Sequence, residues 1–598
     1  MVLAFVRRYV MPFWPKYLLG LLFLFATVQL TVGIPGLIKQ VIDELSGQRR
    51  IATIDQYALT IAGFAVLVIF VRTFSRVLFF NPGREIEFAV RNELLARLLR
   101  MSPAYFRRQT LGDLLSRTND DATFVRALVG FTPVMALNII VSAALSSYRM
   151  LRTDLWLTLT CVVPMIAASF ILRVAVRRSF TMMRVTQEAL GKVSDTVLET
   201  YKGVAVVQGA AAEQAYLARF DQDNQRFTSL SLQVIGVRTF VFPIVAVVGN
   251  LCILLLLFMG GDHVVHGLMT LGDLAAYSSY VGVLVSALAS AGWVIGSIQR
   301  GIVSLRRVWD ILQLQADTPE GSLPLVDDGR GLHLQLRDLT YRHPDAAPDA
   351  QPVISHLSFN LESGKVLGIY GAVASGKSTL VSLLSRLQPP PPGTVFINGI
   401  DILEIREADL RAAVAVVPQE AFLFSRSVRD NVAFADGQGA ADPARVQSAL
   451  EKAQVIDEID RFESGLDTVI GERGLSVSGG QRQRLQIARA FYRGFRLLLL
   501  DDVLSAVDHD TEARLLHVLQ TEIAERGTSA VIISHRLSAL RQAQEIVVLG
   551  EHGVAERGSH AELLALNGIY ARVWQTQQQS QPELAGDAAV PQAQALVA

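Results

Sequence analysis

The stretch that decides the fold of the second half of the chain is Gly371-Ala-Val-Ala-Ser-Gly-Lys377-Ser378-Thr379. An apolar run, 366–370, precedes it, and a helix-like segment, 380–384, follows it. A strand that feeds a glycine-bearing turn at the start of a helix points several backbone N–H groups at one place, together with the positive end of the helix dipole. That arrangement suits a polyphosphate, so the stretch predicts a P-loop.

The side chains of this stretch fit a nucleotide bound with Mg²⁺. Lys377 adds a positive charge for the β- and γ-phosphates, and Ser378 offers a hydroxyl to the metal. The other predicted phosphate-binding residues of the loop are Gly371, Ser375, Gly376 and Thr379. We therefore expect ATP and Mg²⁺ as the cofactors.

The composition places much of the remaining chain in a membrane. A length of 598 residues allows several domains, and a mean hydropathy of +0.35 with 18% charged residues is too apolar for an ordinary soluble protein. The formal net charge is zero and no stripe of Lys and Arg stands out, so no nucleic-acid partner is expected. Cys161 and Cys252 lie in apolar runs and are predicted to be buried hydrophobes.

Six apolar stretches predict membrane-spanning helices. Five of them are free of charged residues: 17–38, 127–148, 155–172, 239–261 and 274–299. The sixth, 56–71, is shorter, and its helical pattern continues past Arg72 to Phe80. Stretches of this length cross a bilayer as helices. The predicted architecture is therefore an all-α six-helix membrane domain at 1–315, fused to an α/β P-loop domain.

The charges of the loops predict the orientation, because cytoplasmic segments carry excess Lys and Arg. Residues 72–126 hold ten Arg against six acids, and 173–238 hold nine Lys and Arg against six acids. Both loops are predicted to be cytoplasmic and helical, each with a short helix at a break near its middle. The breaks are expected at 102–113 and near Gly203 and Gly209.

A turn-rich linker is predicted at 316–331, between the two halves of the chain. The nucleotide-binding domain then occupies 332–575. The Gln- and Ala-rich remainder, 576–598, is predicted to be disordered.

Polar residues that follow three further apolar runs complete the predicted ATP chemistry. The run 497–500 ends in Asp501, which suits Mg²⁺, and Asp502, which suits the attacking water. Gln419 follows another run and can reach the metal or the water, and His535 follows a third and can approach a γ-phosphate. Alone, either of the last two is more often a simple polar residue at a strand end.

A second helix start with glycines lies at Ser478-Gly479-Gly480-Gln481, before a predicted helix at 482–491. Glycines at such a position let a phosphate approach the helix N-terminus closely. One chain thus carries two predicted phosphate-binding helix starts.

On these residues the second half of the chain resembles the nucleotide-binding domain of ATP-binding cassette (ABC) transporters. The family's motifs fall here on Gln419 (the Q-loop), Val477 to Gln481 (the signature), Ser505 to Asp508 (the D-loop) and His535 (the switch histidine). The resemblance also implies that Asp508 lies at the nucleotide and that Tyr341 stacks on adenine. A core tyrosine is the alternative for Tyr341.

Six spans ahead of one such domain make residues 1–575 similar to an exporter-type half-transporter. The resemblance implies a dimer with a second half-transporter, in which each ATP lies between the P-loop of one chain and the signature of the other. The breaks at 107–115 and 207–216 match the coupling helices that relay closure of the nucleotide domains to the membrane. The resemblance also implies a bacterial inner membrane protein whose nucleotide-binding domain is cytoplasmic.

Two residues depart from the family pattern. Ala374 stands where glycine is common, and a small effect is expected. Asp502 stands where the family carries its catalytic glutamate, and its carboxylate is one methylene short, a displacement that can lower a rate about 10²-fold. In this the chain resembles the degenerate-site member of bacterial heterodimeric multidrug exporters of the MdlA/MdlB kind. A homodimer is the alternative.

The predicted function is ATP-driven export of a small hydrophobic or amphipathic compound, of the drug, lipid or peptide class, across the lipid bilayer of the bacterial inner membrane. An ATP-gated channel or a regulatory ABC protein is the alternative. Arg72 and Arg76 lie one helical turn apart and share a face. We expect both to line an inward-facing cavity and to favour anionic or amphipathic cargo. The alternative is snorkelling or pairing with Glu85 or Glu87.

Overall fold

The computed structural model describes residues 1–46, 51–315, 320–326, 329–347, 350–372, 374–436, 441–471, 477–504, 507–550 and 553–579. Contacts divide the chain into two compact units. The first comprises Met1–Leu99 and Gln109–Gln315, and the second comprises Arg100–Arg108 and the described residues after 315. The predicted linker is described only in part, and residues 505, 506 and 580–598 lie outside the described residues.

The described part of the membrane half is built from twelve helices. They are α1 (Val2–Phe5), α2 (Trp14–Ser46), α3 (Ile51–Leu98), α4 (Pro103–Arg108), α5 (Leu111–Ser116), α6 (Ala122–Val129), α7 (Phe131–Thr153), α8 (Leu155–Lys202), α9 (Val204–Gly209), α10 (Glu213–Leu255), α11 (Gly261–Val265) and α12 (Leu271–Leu312). Single π-helical or 3-10 turns join some of them, at Val6–Val10, Met11–Phe13, Arg117–Asp121 and Leu256–Gly260.

Six helical segments in the described part of the chain are long and apolar enough to cross a membrane, by length and composition. Five of them contain a predicted span and the sixth, Pro243–Val265, overlaps the predicted span 239–261, so the prediction of a six-helix membrane domain is confirmed. Many large apolar side chains on these helices stay exposed in the single chain, among them Leu22, Phe70 and Phe258. An exposed apolar surface of this extent suits lipid or another subunit.

The two long cytoplasmic loops are helical and interrupted, as predicted. The first break follows Leu98 and holds α4, and α5 begins after Thr110, whose hydroxyl caps it by accepting a bond from the backbone N–H of Asp113. The second break holds α9. Both short helices begin a few residues before the predicted coupling segments.

Buried charge ties the end of α12 to the first cytoplasmic loop within the first unit. Arg307 forms salt bridges with Asp113 and with Asp121, the latter at 2.9 Å between Nη1 and Oδ2. Ser304 donates a hydrogen bond to Asp121 at 2.6 Å. Asp121 is buried, so its charge is compensated where water is scarce.

The two cysteines meet between α8 and α10. Cys161 and Cys252 are both buried and free, and each thiol lies against the carbonyl oxygen of the other, at 3.9 and 3.2 Å. They pack as small hydrophobes, as the sequence predicts.

The second unit contains two sheets. Its strands are β1 (Leu334–Tyr341), β2 (Ile354–Leu361), β3 (Val366–Gly371), β4 (Val395–Ile397), β5 (Ile400–Asp401), β6 (Val414–Val417), β7 (Leu497–Asp501), β8 (Ser529–Ile533), β9 (Glu545–Gly550) and β10 (Gly553–Gly558). One sheet is antiparallel, in the order β2-β1-β4-β5, and the other has the order β10-β9-β3-β8-β7-β6. In the larger sheet only β10 is antiparallel to its neighbour. The predicted α/β class is confirmed.

Helices complete the second unit, and the last of them runs past the predicted domain end at 575. They are α13 (Lys377–Leu384), α14 (Glu407–Ala413), α15 (Val428–Val432), α16 (Pro443–Lys452), α17 (Ile456–Ile459), α18 (Gly479–Arg493), α19 (His509–Arg526), α20 (Leu537–Leu540), α21 (His560–Ala565) and α22 (Ile569–Gln579). Residues 576–579, predicted to be disordered, are helical. The side chain of Gln577 explains this, because it accepts from the N–H of Leu537 and donates to the carbonyl of His535, at 3.0 and 2.8 Å.

Candidate nucleotide site

The predicted ATP residues follow four strands of the larger sheet. The P-loop follows β3, Asp502 follows β7, His535 comes after β8 and Gln419 comes after β6. These strands are parallel neighbours in the order β3-β8-β7-β6, so their carboxyl ends meet at one edge. Every residue of β7 and β8 is buried, which holds that edge in place. Sheet order therefore brings distant residues together.

Two residues with a left-handed backbone shape the P-loop. Gly376, directly before α13, has a φ of +85°, and a Cβ there would lie 2.8 Å from the carbonyl oxygen of Val353. Glycine is therefore required at this turn. Ala374 has a φ of +68°, a conformation that costs a non-glycine residue about 1 kcal/mol. The departure from the family pattern at Ala374 thus has a modest conformational cost.

Lys377 is held across the loop. Its ammonium donates to the carbonyl oxygens of Gly371 and Ala372, at 2.7 and 2.6 Å. Burial lowers the pKa of Lys377, and the charges of Asp502 and Asp501 oppose that shift. The loop therefore presents a cation that two acids keep charged.

Asp501 ends β7 and is 5% exposed. Burial raises the pKa of Asp501, and the charge of Asp502 adds to the rise, whereas a hydrogen bond from Ser378 and the charge of Lys377 lower it. The side chains of Ser378 and Asp501, both predicted to bind Mg²⁺, are thus in direct contact.

Asp502 is bonded to the predicted switch histidine. Its backbone is left-handed, with a φ of +51°, and its N–H donates to the carbonyl of Ile533 at 2.8 Å. The Nδ1 atom of His535 lies 2.7 and 2.8 Å from the two carboxylate oxygens of Asp502. A carboxylate only accepts, so Nδ1 carries the proton in this contact. Both oxygens of Asp502 are therefore directed at the imidazole.

A cavity of about 500 Å³ collects most of the predicted residues. It is lined by Val353, Gly371, Ala374, Ser375, Gly376, Lys377, Ser378, Thr379, Gln419, Asp501, Asp502 and His535. Among the described residues no cluster of three or more His, Cys, Asp and Glu side chains could hold a metal alone. Mg²⁺ commonly binds through one or two carboxylates and substrate phosphates, so a set of one acid, one hydroxyl and one amide fits a metal that arrives with a nucleotide.

The signature residues lie outside that cavity. Ser478 is exposed and caps α18, because its hydroxyl accepts from the N–H of Gln481 at 3.2 Å, while Gln481 Oε1 accepts from the N–H of Ser478 at 2.9 Å. Gln481 also donates to Glu458 at 2.7 Å. Of the described residues that line the cavity, none is Ser478, Gly479, Gly480 or Gln481. The two predicted helix starts therefore do not share a site within one chain.

Asp508, predicted at the nucleotide through the D-loop, is the N-cap of α19. Its side chain accepts from the N–H of Thr511 at 3.0 Å, and that bond is the main reason for the lowered pKa of Asp508. It is not among the described residues that line the P-loop cavity. Its preceding residues, 505 and 506, lie outside the described part of the chain.

Tyr341 is a core residue in the structure. It is 8% exposed, belongs to the hydrophobic core of the two sheets and does not line the described wall of the cavity. Burial raises the pKa of Tyr341. The core alternative therefore fits better than stacking on adenine, because a side chain that is only 8% exposed presents little surface to a base.

The sequence argument missed His343, two residues after Tyr341. Its ring is partly buried and meets Tyr341 edge-on, at 5.5 Å between centroids. The carbonyl of Tyr341 accepts from the N–H of Val353, which lines the cavity, so this segment runs beside the P-loop wall. Asp345, just beyond, binds Arg108 of α4 through two hydrogen bonds, at 2.7 and 2.6 Å. The signal available in the sequence was the strand period, which puts 341 and 343 on one face.

Known families match both halves of the chain. The family described as "ABC transporter transmembrane region" matches residues 17–288, and the family described as "ABC transporter" matches residues 354–505. The second match contains the P-loop, Gln419, the signature and the two acids of β7. ABC domains of this type bind ATP, generally with Mg²⁺, and couple its hydrolysis to transport.

Several named proteins are similar over most of their length. A probable multidrug resistance ABC transporter ATP-binding/permease protein, YheI of Bacillus subtilis, is 29% identical over 95% of this chain and 96% of its own. The multidrug resistance-like ATP-binding protein MdlA of Escherichia coli is 30% identical over 94% of this chain and 95% of its own length. An ATP-dependent lipid A-core flippase of Aromatoleum aromaticum is 32% identical over 83% of this chain and 81% of its own length.

A solved structure shares the fold. The structure of a bacterial Atm1-family ABC exporter with ATP bound matches this chain with a TM-score of 0.78 and 23% sequence identity. The match covers 98% of this chain and 100% of the exporter chain. With its six spans, the protein is an inner membrane protein of bacterial type with a cytoplasmic nucleotide-binding domain, and exporters of this kind act as dimers. The chain belongs to the ABC transporters, as an exporter half-transporter that joins one transmembrane region to one ATP-binding domain.

Proposed function

We propose that this chain exports a hydrophobic or amphipathic compound as the subunit with the slower ATP site of a heterodimeric exporter. The observation that carries the proposal is the contact between Asp502 and His535. The carboxylate that would orient the attacking water is short by one methylene and has both oxygens on the imidazole. A misplacement of about 1 Å can lower a rate about 10²-fold.

The residues of the cavity have distinct roles in this proposal. The N–H groups at the start of α13 and the ammonium of Lys377 bind the phosphates, and His343 stacks on the base. Ser378, Gln419 and Asp501 would hold Mg²⁺, which, when bound, offsets the charge of the β- and γ-phosphates. His535, bonded through Nδ1 to Asp502, turns Nε2 outward as the atom free to meet the γ-phosphate.

The separation of the two helix starts supports a shared site. The P-loop of this chain lacks a second phosphate-binding helix in its own cavity, and the signature of this chain has no P-loop beside it among the described residues. A partner chain placed head to tail would complete both. In a heterodimer the partner's glutamate works with Ser478 to Gln481 of this chain, and the site of Lys377 and Asp502 mainly holds ATP.

Variants of Asp502 test this proposal. Asp502→Ala should leave most steady-state ATPase in a heterodimer, because the faster site uses the partner's carboxylate. In a homodimer the same change removes the water-orienting acid from both sites and should cost roughly 10²- to 10⁴-fold. Asp502→Glu should raise turnover strongly only in a homodimer.

The measurement is ATPase activity of purified complexes whose chain composition is checked by mass. Asp510→Ala serves as the matched control, since it removes an exposed carboxylate eight residues away, outside the cavity. A collapse of activity in Asp502→Ala, in a preparation that contains this chain alone, would contradict the heterodimer.

A further inference from the structure

A cavity of about 460 Å³ lies within the first unit, between α2, α3, α7 and α12. Its polar lining includes Thr27, Thr31, Asn138, Ser142, Ser286 and Arg72. Val28, Val32, Met135 and Ile139 supply apolar wall. A cavity of this size with a mixed lining is typical of a small-molecule site.

The cavity lies at the middle of the membrane. Thr27, Asn138 and Ser286 each stand at the centre of a charge-free stretch, 17–38, 127–148 and 274–299 respectively. Three helices thus place their midpoints on one cavity. Arg72 reaches the same level from α3. An ionisable side chain at this depth is costly unless it faces a polar cavity, and it normally marks a functional site.

Arg72 brings the only charge to this lining. Among the described residues that line the cavity there is no Asp, Glu, Lys or second Arg, and Arg72 forms no salt bridge with any residue that the structure describes. The cavity therefore carries a net positive charge that the described chain does not balance.

The neutral polar groups of the lining supply few hydrogen-bond donors to an anionic ligand. The hydroxyls of Thr27, Thr31, Ser142 and Ser290 donate to carbonyl oxygens of their own helices, at 2.8 to 3.2 Å. Their protons are thus occupied, and they offer lone pairs to a ligand. Among the described lining groups, the donors left for a negative group are the guanidinium of Arg72, the amide of Asn138 and the hydroxyl of Ser286, and only the first of these is charged.

The pairing with Glu85 or Glu87, named from the sequence as an alternative, is not found for Arg72. Glu85 pairs with Lys16 at 3.0 Å, and Glu87 pairs with Arg91 and Arg126, both at 2.9 Å, so neither acid serves Arg72. Arg76, expected beside Arg72, is not among the described residues that line the cavity. Four residues on a helix rise about 6 Å and advance about 40° past one full turn, which separates the two side chains.

We propose that this cavity binds the anionic group of an amphipathic cargo, with the guanidinium of Arg72 as its counter-charge. The proposal rests on the proposed export function, because it names the class of compound that the exporter takes. A carboxylate, sulfonate or phosphate bonds strongly to a guanidinium, and the apolar body packs against Val28, Val32 and Met135. The anion belongs either to a soluble amphiphile or to a lipid headgroup.

A second arginine-lined cavity provides a contrast. It has a volume of about 640 Å³, lies between α8 and α12 and includes Arg173 and Arg177. Both arginines come just after the charge-free stretch 155–172, at the cytoplasmic end of that span. Arginine is tolerated there, because its head reaches the interface. Arg173 is therefore a control and not part of the proposed site.

The test is equilibrium binding to the purified full-length complex in phosphatidylcholine nanodiscs without ATP. The probes are pyrenebutyrate, pyrenebutanol and pyrenebutyl-trimethylammonium, which share one apolar body and differ in charge. Wild type should bind the anion about tenfold more tightly than the alcohol, as expected for one charge-assisted contact. Arg72→Gln should remove that preference and Arg72→Lys should keep most of it. Arg76→Gln and Arg173→Gln should match wild type.

The proposal is overturned if wild type has no preference for the anion, if Arg72→Gln keeps it, or if Arg76→Gln loses it equally. ATP-dependent uptake of the same probes into inside-out vesicles separates this result from export itself. Anion binding without uptake of any probe would contradict export and retain the site. Uptake whose preference among the probes is the same in wild type and Arg72→Gln would support export and contradict the proposed site. Competition by phosphatidylglycerol in the nanodisc would assign the anion to a lipid, and its absence to a soluble amphiphile.

Discussion

The two helix starts that the sequence predicts to bind phosphate are built in opposite ways. α13 begins at Gly376 without a side-chain cap, after a loop that is left-handed at Ala374 and Gly376. α18 begins at Ser478 with a complete capping box, in which Ser478 and Gln481 satisfy each other's N–H groups. Lys377 lies near two acids at the first, and at the second Gln481 donates a hydrogen bond to Glu458.

The difference indicates a division of labour. The uncapped N–H groups of α13 need an outside acceptor, which a phosphate supplies. α18 already satisfies part of its first turn, so it is preformed and can meet a nucleotide without rearrangement. In the proposed shared site, the first start would provide most of the affinity and the second would provide geometry for turnover.

The largest expected effect is at the second start. In the proposed head-to-tail dimer, Ser478→Arg puts bulk and charge where α18 would face the partner's ATP. It should lower the ATPase rate of the complex by roughly 10²-fold, the scale of a lost transition-state donor. The rate is measured on purified complex with the partner unchanged.

Ser559→Arg is the matched control, because Ser559 caps α21 with the same kind of box, formed with Glu562. That variant should keep wild-type turnover. Equal loss in both variants would mean that the cap, and not the nucleotide contact, explains the Ser478 result.

A smaller effect is expected at the first start. Lys377→Ala should weaken binding of ATP to this chain's own site by roughly 10- to 100-fold, since it removes a charged donor to the phosphates. Fluorescent ATP analogues report the affinity, with inorganic tripolyphosphate as competitor.

His343→Ala sharpens this measurement. It should weaken binding of ATP roughly five- to tenfold, near the lower end of the range for a base stacked on an aromatic ring, and leave binding of tripolyphosphate unchanged. Lys377→Ala should weaken both ligands. An unchanged ATP affinity in His343→Ala would contradict the proposed stacking of His343 on the base.

The smallest effect is expected at Ala374. Ala374→Gly relieves a left-handed alanine, so ATP affinity should change by less than about fivefold, equivalent to about 1 kcal/mol. Gly376→Ala, two residues on, meets both a φ of +85° and the carbonyl of Val353 and should abolish binding. Similar affinities in these two variants would contradict the role given to the turn.

The sequence predicted what is contiguous or periodic. The P-loop could be read because strand, turn and helix lie within about twenty residues, and the six spans because an apolar run of that length has few other solutions. The carboxylates of β7 were readable for the same reason. The structure gathers these residues with Gln419 and His535 through the order of four parallel strands, which no local pattern encodes.

What the sequence could not give depends on contacts between distant segments. The contact between Asp502 and His535 depends on the register in which β7 pairs with β8. The end of α22 depends on the hydrogen bond that Gln577 donates to the loop after β8. Tyr341 is the last residue of β1 and His343 follows two residues later, and the structure distinguishes them by burial and by position. The membrane cavity draws on four helices, so the sequence could propose Arg72 and Arg76 together but could not separate them.

The grouping of α4 with the second unit bears on how the protein can be dissected. The chain passes from one unit to the other at Leu99, again at Arg108 and a third time after Gln315. A protease cut in the linker would sever only the third passage, and α4 would stay attached through the paired bonds of Arg108 to Asp345. A gene fragment that starts at 332 would lack α4 and leave Asp345 without that arginine. The physical module is therefore larger than the continuous segment that encodes most of it.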